Sequence, residues 1–285
     1  MSEIETLSIT ASDAHKFDAM LYLADAPNAP VLIFYSAMGT PSKVYRAFAS
    51  TMAENGITVC TPDWRGIGSS SVRASRNADF GYRHLVEIDA PALISALEMR
   101  FPDAKFWLGG HSLGGQLGAL IASKNTNRIR GLLSIASGSV YLPCFSKKSQ
   151  RQIRFIGVLI KAVVPLLGYF PGNRFGFAGR EASGVMRDWY RVAGTGRYEP
   201  GNTVIDYEHA LSQLNLPVLG LNFASDVFAT AAAGNYLLGK LSNCSPQKWL
   251  WDESHTNGIR FDHYSWLKNA PIVVPKVAAW LHQHR

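Results

Sequence analysis

Apolar positions along the chain fall into short continuous runs and longer stretches spaced three and four apart. Val31–Tyr35 (Val-Leu-Ile-Phe-Tyr) is an unbroken apolar run, as expected of a strand buried on both faces. Residues 43–54 place Val44, Phe48, Ala49 and Met52 on one helical face, and Gly56 supplies the stop. A second strand is predicted over 57–61, closed by Pro62 and a turn-rich stretch from Asp63 to Ser70. The pattern then predicts a helix over 82–100 interrupted at Pro91, a strand over 105–108, a helix over 113–124 and a strand over 131–136.

The alternation stops after Ser137 and resumes with a strand over 217–223. A helix over 228–241, a strand over 247–251 and a final helix over 271–284 complete it. Strands separated by helices imply a mostly parallel sheet with right-handed crossovers and helices on both faces. The expected architecture is one α/β core, residues 1–138 and 207–285, with residues 139–206 inserted as a mainly helical cap.

A chain of 285 residues with 47% hydrophobic and 17% charged residues can bury a substantial core, which excludes disorder. Cys60, Cys144 and Cys244 are too few and too scattered for a disulfide framework or a zinc cluster, so a reducing, cytoplasmic setting is expected. The acidic N-terminus carries no targeting pattern, and the apolar stretch 155–170 contains Lys161 and Pro165, so no transmembrane segment is expected. Net charge changes the picture in one place. Ten basic residues and three acids lie between Ser146 and Pro200, so this segment holds the whole excess of +7. A solvated cap face accounts for it; contact with an anionic membrane or a phosphate-bearing carrier is the other reading. No nucleic-acid-binding motif is present.

The sharpest chemical signal is Gly110-His111-Ser112-Leu113-Gly114, between the 105–108 strand and the 113–124 helix. This is the G-x-S-x-G elbow, in which a tight turn lifts a serine above the sheet edge. A serine hydroxyl needs a base, and the base an orienting carboxylate, in the chain order Ser, Asp or Glu, His. Asp226 follows the 217–223 strand at its carboxyl end, where sites gather in open sheets; its structural alternative is to cap the following helix. His255 and His263 both follow the last strand, and His263, deeper in the loop, is the favoured base. The Leu113 amide, at a helix start, and the Met38 amide, in the loop after Val31–Tyr35, are the expected oxyanion donors. The Asp63-Trp64-Arg65-Gly66-Ile67-Gly68 turn reads as structural, with an ion pair pinning a loop. No phosphate-binding, dinucleotide or metal-ligand spacing is found, so neither cofactor nor metal is expected.

Together, Gly110-His-Ser112-Leu-Gly114-Gly115, the Asp63-x-Arg65-Gly66-x-Gly68-x-Ser70 turn and the late Asp226 and His263 resemble the α/β-hydrolase superfamily. Gly168-Tyr-Phe-Pro-Gly172 and Gly184-Val-Met-Arg187-Asp-Trp189 resemble its serine-aminopeptidase-like and lysophospholipase-like branch, in particular an uncharacterised bacterial group of hydrolases. The resemblance implies an eight-stranded sheet, a triad of Ser112, Asp226 and His263, and hydrolysis of an ester, thioester or amide. Many relatives carry His-Gly in the oxyanion loop, where this chain has Ser36-Ala37-Met38-Gly39.

The resulting expectation is a serine hydrolase acting on a small-molecule carboxylic ester of unspecified acyl group. Apolar cap residues such as Phe155, Leu159 and Leu166 either line an acyl pocket or pack the cap helix on the core. Acyl transfer or thioester cleavage on a carrier, and a non-catalytic binding protein, are the rivals. Oligomeric state is left open.

Overall fold

The computed structural model describes residues 3–284. Two strands precede the first expected one: β1 (Ile4–Thr10) and β2 (Lys16–Tyr22) form an antiparallel hairpin. There follow β3 (Val31–Tyr35), α1 (Arg46–Glu54), β4 (Thr58–Pro62), α2 (Ala90–Arg100), β5 (Phe106–His111), α3 (Leu113–Lys124) and β6 (Ile129–Ile135). The intervening excursion holds α4 (Lys147–Leu167), a two-stranded ribbon of β7 (Tyr169–Pro171) and β8 (Arg180–Ala182), and α5 (Ser183–Thr195). The chain closes with α6 (Tyr207–Ser212), β9 (Val218–Phe223), α7 (Ala231–Gly239), β10 (Gln247–Trp251) and α8 (Ala270–Gln283).

One eight-stranded sheet runs in the order β1-β2-β4-β3-β5-β6-β9-β10. It is parallel from β4 to β10 and antiparallel at the β1–β2–β4 edge. Every residue of β3, β5 and β9 is buried, because helices cover both faces of the sheet. Alternation along β3 sends Leu32 and Phe34 into one apolar cluster, with α1 and α8, and Ile33 and Tyr35 into the other, with α2 and α3. The second cluster continues through Ile153, Ile160, Phe170, Met186 and Trp189, so residues 139–206 share the core of that face.

Several elements differ from expectation for local reasons. Pro91 does not interrupt its helix. A π-helical turn, His84–Asp89, leads into α2, and Pro91 sits in the first turn of α2. α7 starts at Ala231 instead of 228, because residues 226–229 form a turn around the Asp226 carboxylate. β5 runs on to His111, so the strand enters the elbow itself.

Candidate active site

β5 delivers its last residue directly to Ser112, the only residue between it and α3. Ser112 adopts φ 55° and ψ −118°, a conformation that costs a non-glycine residue about 1–3 kcal/mol and persists only where its surroundings enforce it. The flanking glycines show how. A Cβ on Gly110 would lie 2.2 Å from the Gly114 carbonyl carbon, and one on Gly114 would lie 2.2 Å from the Tyr35 carbonyl oxygen. The Ser112 carbonyl accepts from the Ser137 hydroxyl at 2.6 Å and from the Gly115 amide at 3.1 Å, and the Ser112 amide donates to Ile135 O at 3.3 Å.

Asp226 and His263 meet across 37 residues of sequence: Nδ1 of His263 lies 2.8 Å from Oδ2 of Asp226. The other carboxylate oxygen, Oδ1, accepts from the amides of Phe228 at 2.8 Å and Ala229 at 3.0 Å. Both side chains are buried. The helix-capping alternative for Asp226 does not apply, since Thr230 caps α7 through the Ala233 amide at 3.1 Å. His255 is occupied elsewhere, on the surface. It lies 2.8 Å from Asp252, whose carboxyl is held at about 2 by the Ser254 hydroxyl and the His255 ring.

The Ser112 hydroxyl makes no hydrogen bond to the His263 ring in this conformation, so the three residues are not linked end to end. Proximity comes through the residue before the serine. The His111 ring centroid is 4.6 Å from that of His263, and the Phe228 and Tyr264 rings flank His263 at 5.4 and 5.1 Å. His111 is fully buried, and burial together with the neighbouring His263 holds its pKa well below the ordinary imidazole value. It is a neutral ring at physiological pH.

His111 also reaches the other side of the elbow. Its Nδ1 lies 2.7 Å from the Tyr45 hydroxyl, and that hydroxyl accepts the Ala37 amide at 2.9 Å. The loop carrying Met38 is thereby tied to the elbow through Tyr45. Gly39 has φ 70° and packs so closely on the 178–179 backbone that a Cβ would lie 2.3 Å from the Gly179 amide nitrogen. Among the described residues, neither the Met38 nor the Leu113 amide donates to a protein oxygen. Tyr45 and His111 are neighbours of the candidate site that sequence reasoning did not single out. His111 stood inside the G-x-S-x-G motif, but its contacts, to Tyr45 and to the 263–266 segment, lie far away in sequence on either side.

The apolar cap residues fall differently from one another. Phe155 and Leu166 stand on the outward face of α4, 62% and 69% exposed, so they line no enclosed acyl pocket here. The inward face is built from Ile153, Gly157, Ile160 and Val164, with Gly157 pressed against the Tyr190 ring. Leu159 is half-buried and packs on the core cluster.

Elsewhere a serine, a histidine and a carboxylate are linked end to end inside a buried polar network. His15 lies 2.9 Å from Asp89 through Nδ1 and 2.8 Å from the Ser70 hydroxyl through Nε2. All three are buried, the Ser70 oxygen also accepts the Gly66 amide at 2.9 Å, and Asp89 is claimed by Arg65 at 2.6 Å. The ion pair expected in the Asp63–Gly68 turn therefore exists, but Arg65 reaches Asp89 and Asp13 instead of Asp63. Asp63 instead accepts the amides of Ser42 at 2.7 Å and Ser69 at 2.9 Å. Among the described residues no group of His, Cys, Asp and Glu could hold a metal ion, and no helix is long and apolar enough to cross a membrane.

A family model described as alpha/beta hydrolase fold matches residues 30–154, which contain β3 to β6 and the elbow. No matching relative was found among curated proteins. Among solved structures, a haloalkane dehalogenase from Bradyrhizobium elkani is similar with a TM-score of 0.65 at 16% identity, over 99% of both chains. A thermophilic esterase from Thermogutta terrifontis gives 0.63 at 15%, over 98% of this chain and 99% of that one. A hydrolase from Pseudomonas aeruginosa gives 0.61 at 20%, over 97% and 98%. At such identities the likeness speaks to fold alone, and it agrees with the observed sheet order and the strand–elbow–helix unit. The chain has the α/β-hydrolase fold, and its segment 30–154 matches the model of that family.

Proposed function

We propose that the protein is a cofactor-independent serine hydrolase that cleaves a carboxylic ester through an acyl-enzyme. The observation that carries this reading is the buried Asp226–His263 pair, at 2.8 Å and with the second Asp226 oxygen saturated by two amides, beside a serine in a strained elbow. Asp226 keeps the His263 proton on Nδ1, which leaves Nε2 free as a base. His263 takes the Ser112 hydroxyl proton as the oxygen attacks the acyl carbon, and returns it to the departing alcohol. Water then loses a proton to His263, attacks the acyl-enzyme and releases the acid, and the proton returns to Ser112. The amides of Leu113 and Met38 stabilise the negative oxygen in both tetrahedral intermediates. The open Ser112–His263 contact closes in the substrate complex, as catalytic hydrogen bonds often do.

Residues 139–206 act in this reading as a cap on a core of 1–138 and 207–285. The three cysteines remain free, which supports a reducing, cytoplasmic setting.

The deciding experiment is intact-mass labelling with a fluorophosphonate. One adduct on the wild type, lost in Ser112→Ala and His263→Ala and kept in His255→Ala, supports the reading. No adduct on folded wild-type protein overturns it in favour of a non-catalytic binding protein. Product analysis with alcohol and thiol acceptors separates ester hydrolysis from acyl transfer.

A further inference from the structure

The outward face of α4 has no partner in the fold. Phe155, Val158, Ala162 and Leu166 follow one another at intervals of three, four and four residues, so they form a single stripe along the helix. All four are exposed, Phe155, Val158 and Leu166 by 60–70% of their surfaces (62%, 61% and 69%). Contiguous apolar surface of this kind is not expected on a face that meets only water.

The polar residues around the stripe are of one sign. α4 contains Lys147, Lys148, Arg151, Arg154 and Lys161 and no acid. No Asp or Glu occurs anywhere between Asp103 and Glu181. None of the five cations has a carboxylate partner among the described residues. Exposed Arg76 adds a further charge at the far end, where its guanidinium donates to the Leu166 carbonyl. Acids on neighbouring segments are already engaged or hidden: Asp79 with Arg187, Asp188 with Arg191, and Glu181 buried.

We propose that this face of α4 docks on an anionic lipid bilayer surface, with Phe155, Val158 and Leu166 entering the headgroup–acyl boundary and the surrounding cations meeting lipid phosphates. An apolar stripe bordered by Lys and Arg suits an interface that is anionic outside and apolar beneath. A nucleic acid would satisfy the cations and leave the stripe in water. A second copy of the chain would bring its own cations against these. The inference is independent of the hydrolase reading, since it uses no residue of the Ser112 site.

The test is co-sedimentation of the full chain with vesicles of phosphatidylcholine alone and with phosphatidylglycerol added, at about 0.05 M and about 0.5 M salt. The wild type is expected to pellet with anionic vesicles at low salt and to stay in solution with neutral ones. Lys147→Glu/Lys148→Glu/Arg151→Glu should lower partitioning by roughly tenfold or more. Phe155→Ser/Val158→Ser should lower it at unchanged net charge. Circular dichroism checks that both variants keep the fold, and fluorophosphonate labelling should be unaffected in both. Wild type that stays in solution with anionic vesicles at low salt overturns the proposal, as do variants that pellet like wild type. A concentration-dependent dimer broken by Phe155→Ser/Val158→Ser, without vesicle binding, assigns the face to a second copy instead. Binding of a homopolymer RNA without vesicle binding assigns it to nucleic acid.

Discussion

The ring of His111 lies 4.6 Å from the ring of His263, although the two residues come from different strand ends and are separated by most of the second half of the chain. One neutral, fully buried imidazole therefore touches the loop of the proposed base. Through Tyr45 it also reaches the loop of the proposed oxyanion donor. A neutral neighbour matters for the proposed chemistry, because His263 gains a positive charge each time it accepts a proton.

Tyr45→Phe removes the hydroxyl shared by His111 Nδ1 and the Ala37 amide, leaving two buried polar groups without a partner. The expected cost is about 1–3 kcal/mol of stability, with slower fluorophosphonate labelling at temperatures where the variant is folded. Denaturant titration and labelling rates check it. Unchanged labelling would mean that the Ala37–Met38 loop holds its position without Tyr45.

Asp226→Asn keeps the size of the side chain but removes the carboxylate that fixes the His263 tautomer. By analogy with other triads, the labelling rate should fall by roughly three to four orders of magnitude. Asp252→Asn, which disturbs the exposed His255 pair, should leave it unchanged. Equal effects in the two variants would reopen the choice between the histidines.

Ser70, His15 and Asp89 are aligned like a triad but are buried and bound to Arg65 and the Gly66 amide. Ser70→Ala should therefore retain full labelling while losing about 1–2 kcal/mol of stability. Arg65→Leu should be more severe, by about 3–5 kcal/mol, because it leaves the buried Asp89 without its cation. Loss of labelling in folded Ser70→Ala would give this cluster a chemical role.

Glu181 is buried on β8, with the Gly179 amide donating to one oxygen at 2.9 Å. Burial pushes its carboxyl from an ordinary 4.5 up to about 7. Between these values the folded state holds a proton that the unfolded state has released, so stability falls as pH rises through this window. Glu181→Gln should remove that dependence and stabilise the protein above neutral pH by on the order of 1–3 kcal/mol. Urea midpoints at about pH 5 and about pH 8 test it. A wild type that gains stability over this range would contradict the assignment.

Local patterning was enough to place β3, α3, β10 and the elbow, because each rests on short-range causes. Val31–Tyr35 is apolar at every position, and Gly110 and Gly114 are the residues that a strand folding back into a helix requires. Ser112, Asp226 and His263 were legible as candidates from the elbow motif, the positions of the strand ends and chain order. What sequence order could not decide was contact. The choice between His263 and His255 depends on which ring meets Asp226 across the sheet, and the role of Arg65 depends on Asp13 and Asp89, which are distant in sequence. The half-exposed β1–β2 edge lacks a continuous apolar run, so its pairing emerges only in the assembled sheet. Likewise, the sequence marked the cap helix as apolar without saying which of its faces packs, and only packing decided that Ile153, Ile160 and Val164 turn inward. Phe155 and Leu166 are left outside because a single helix has more apolar surface than one neighbouring core can cover.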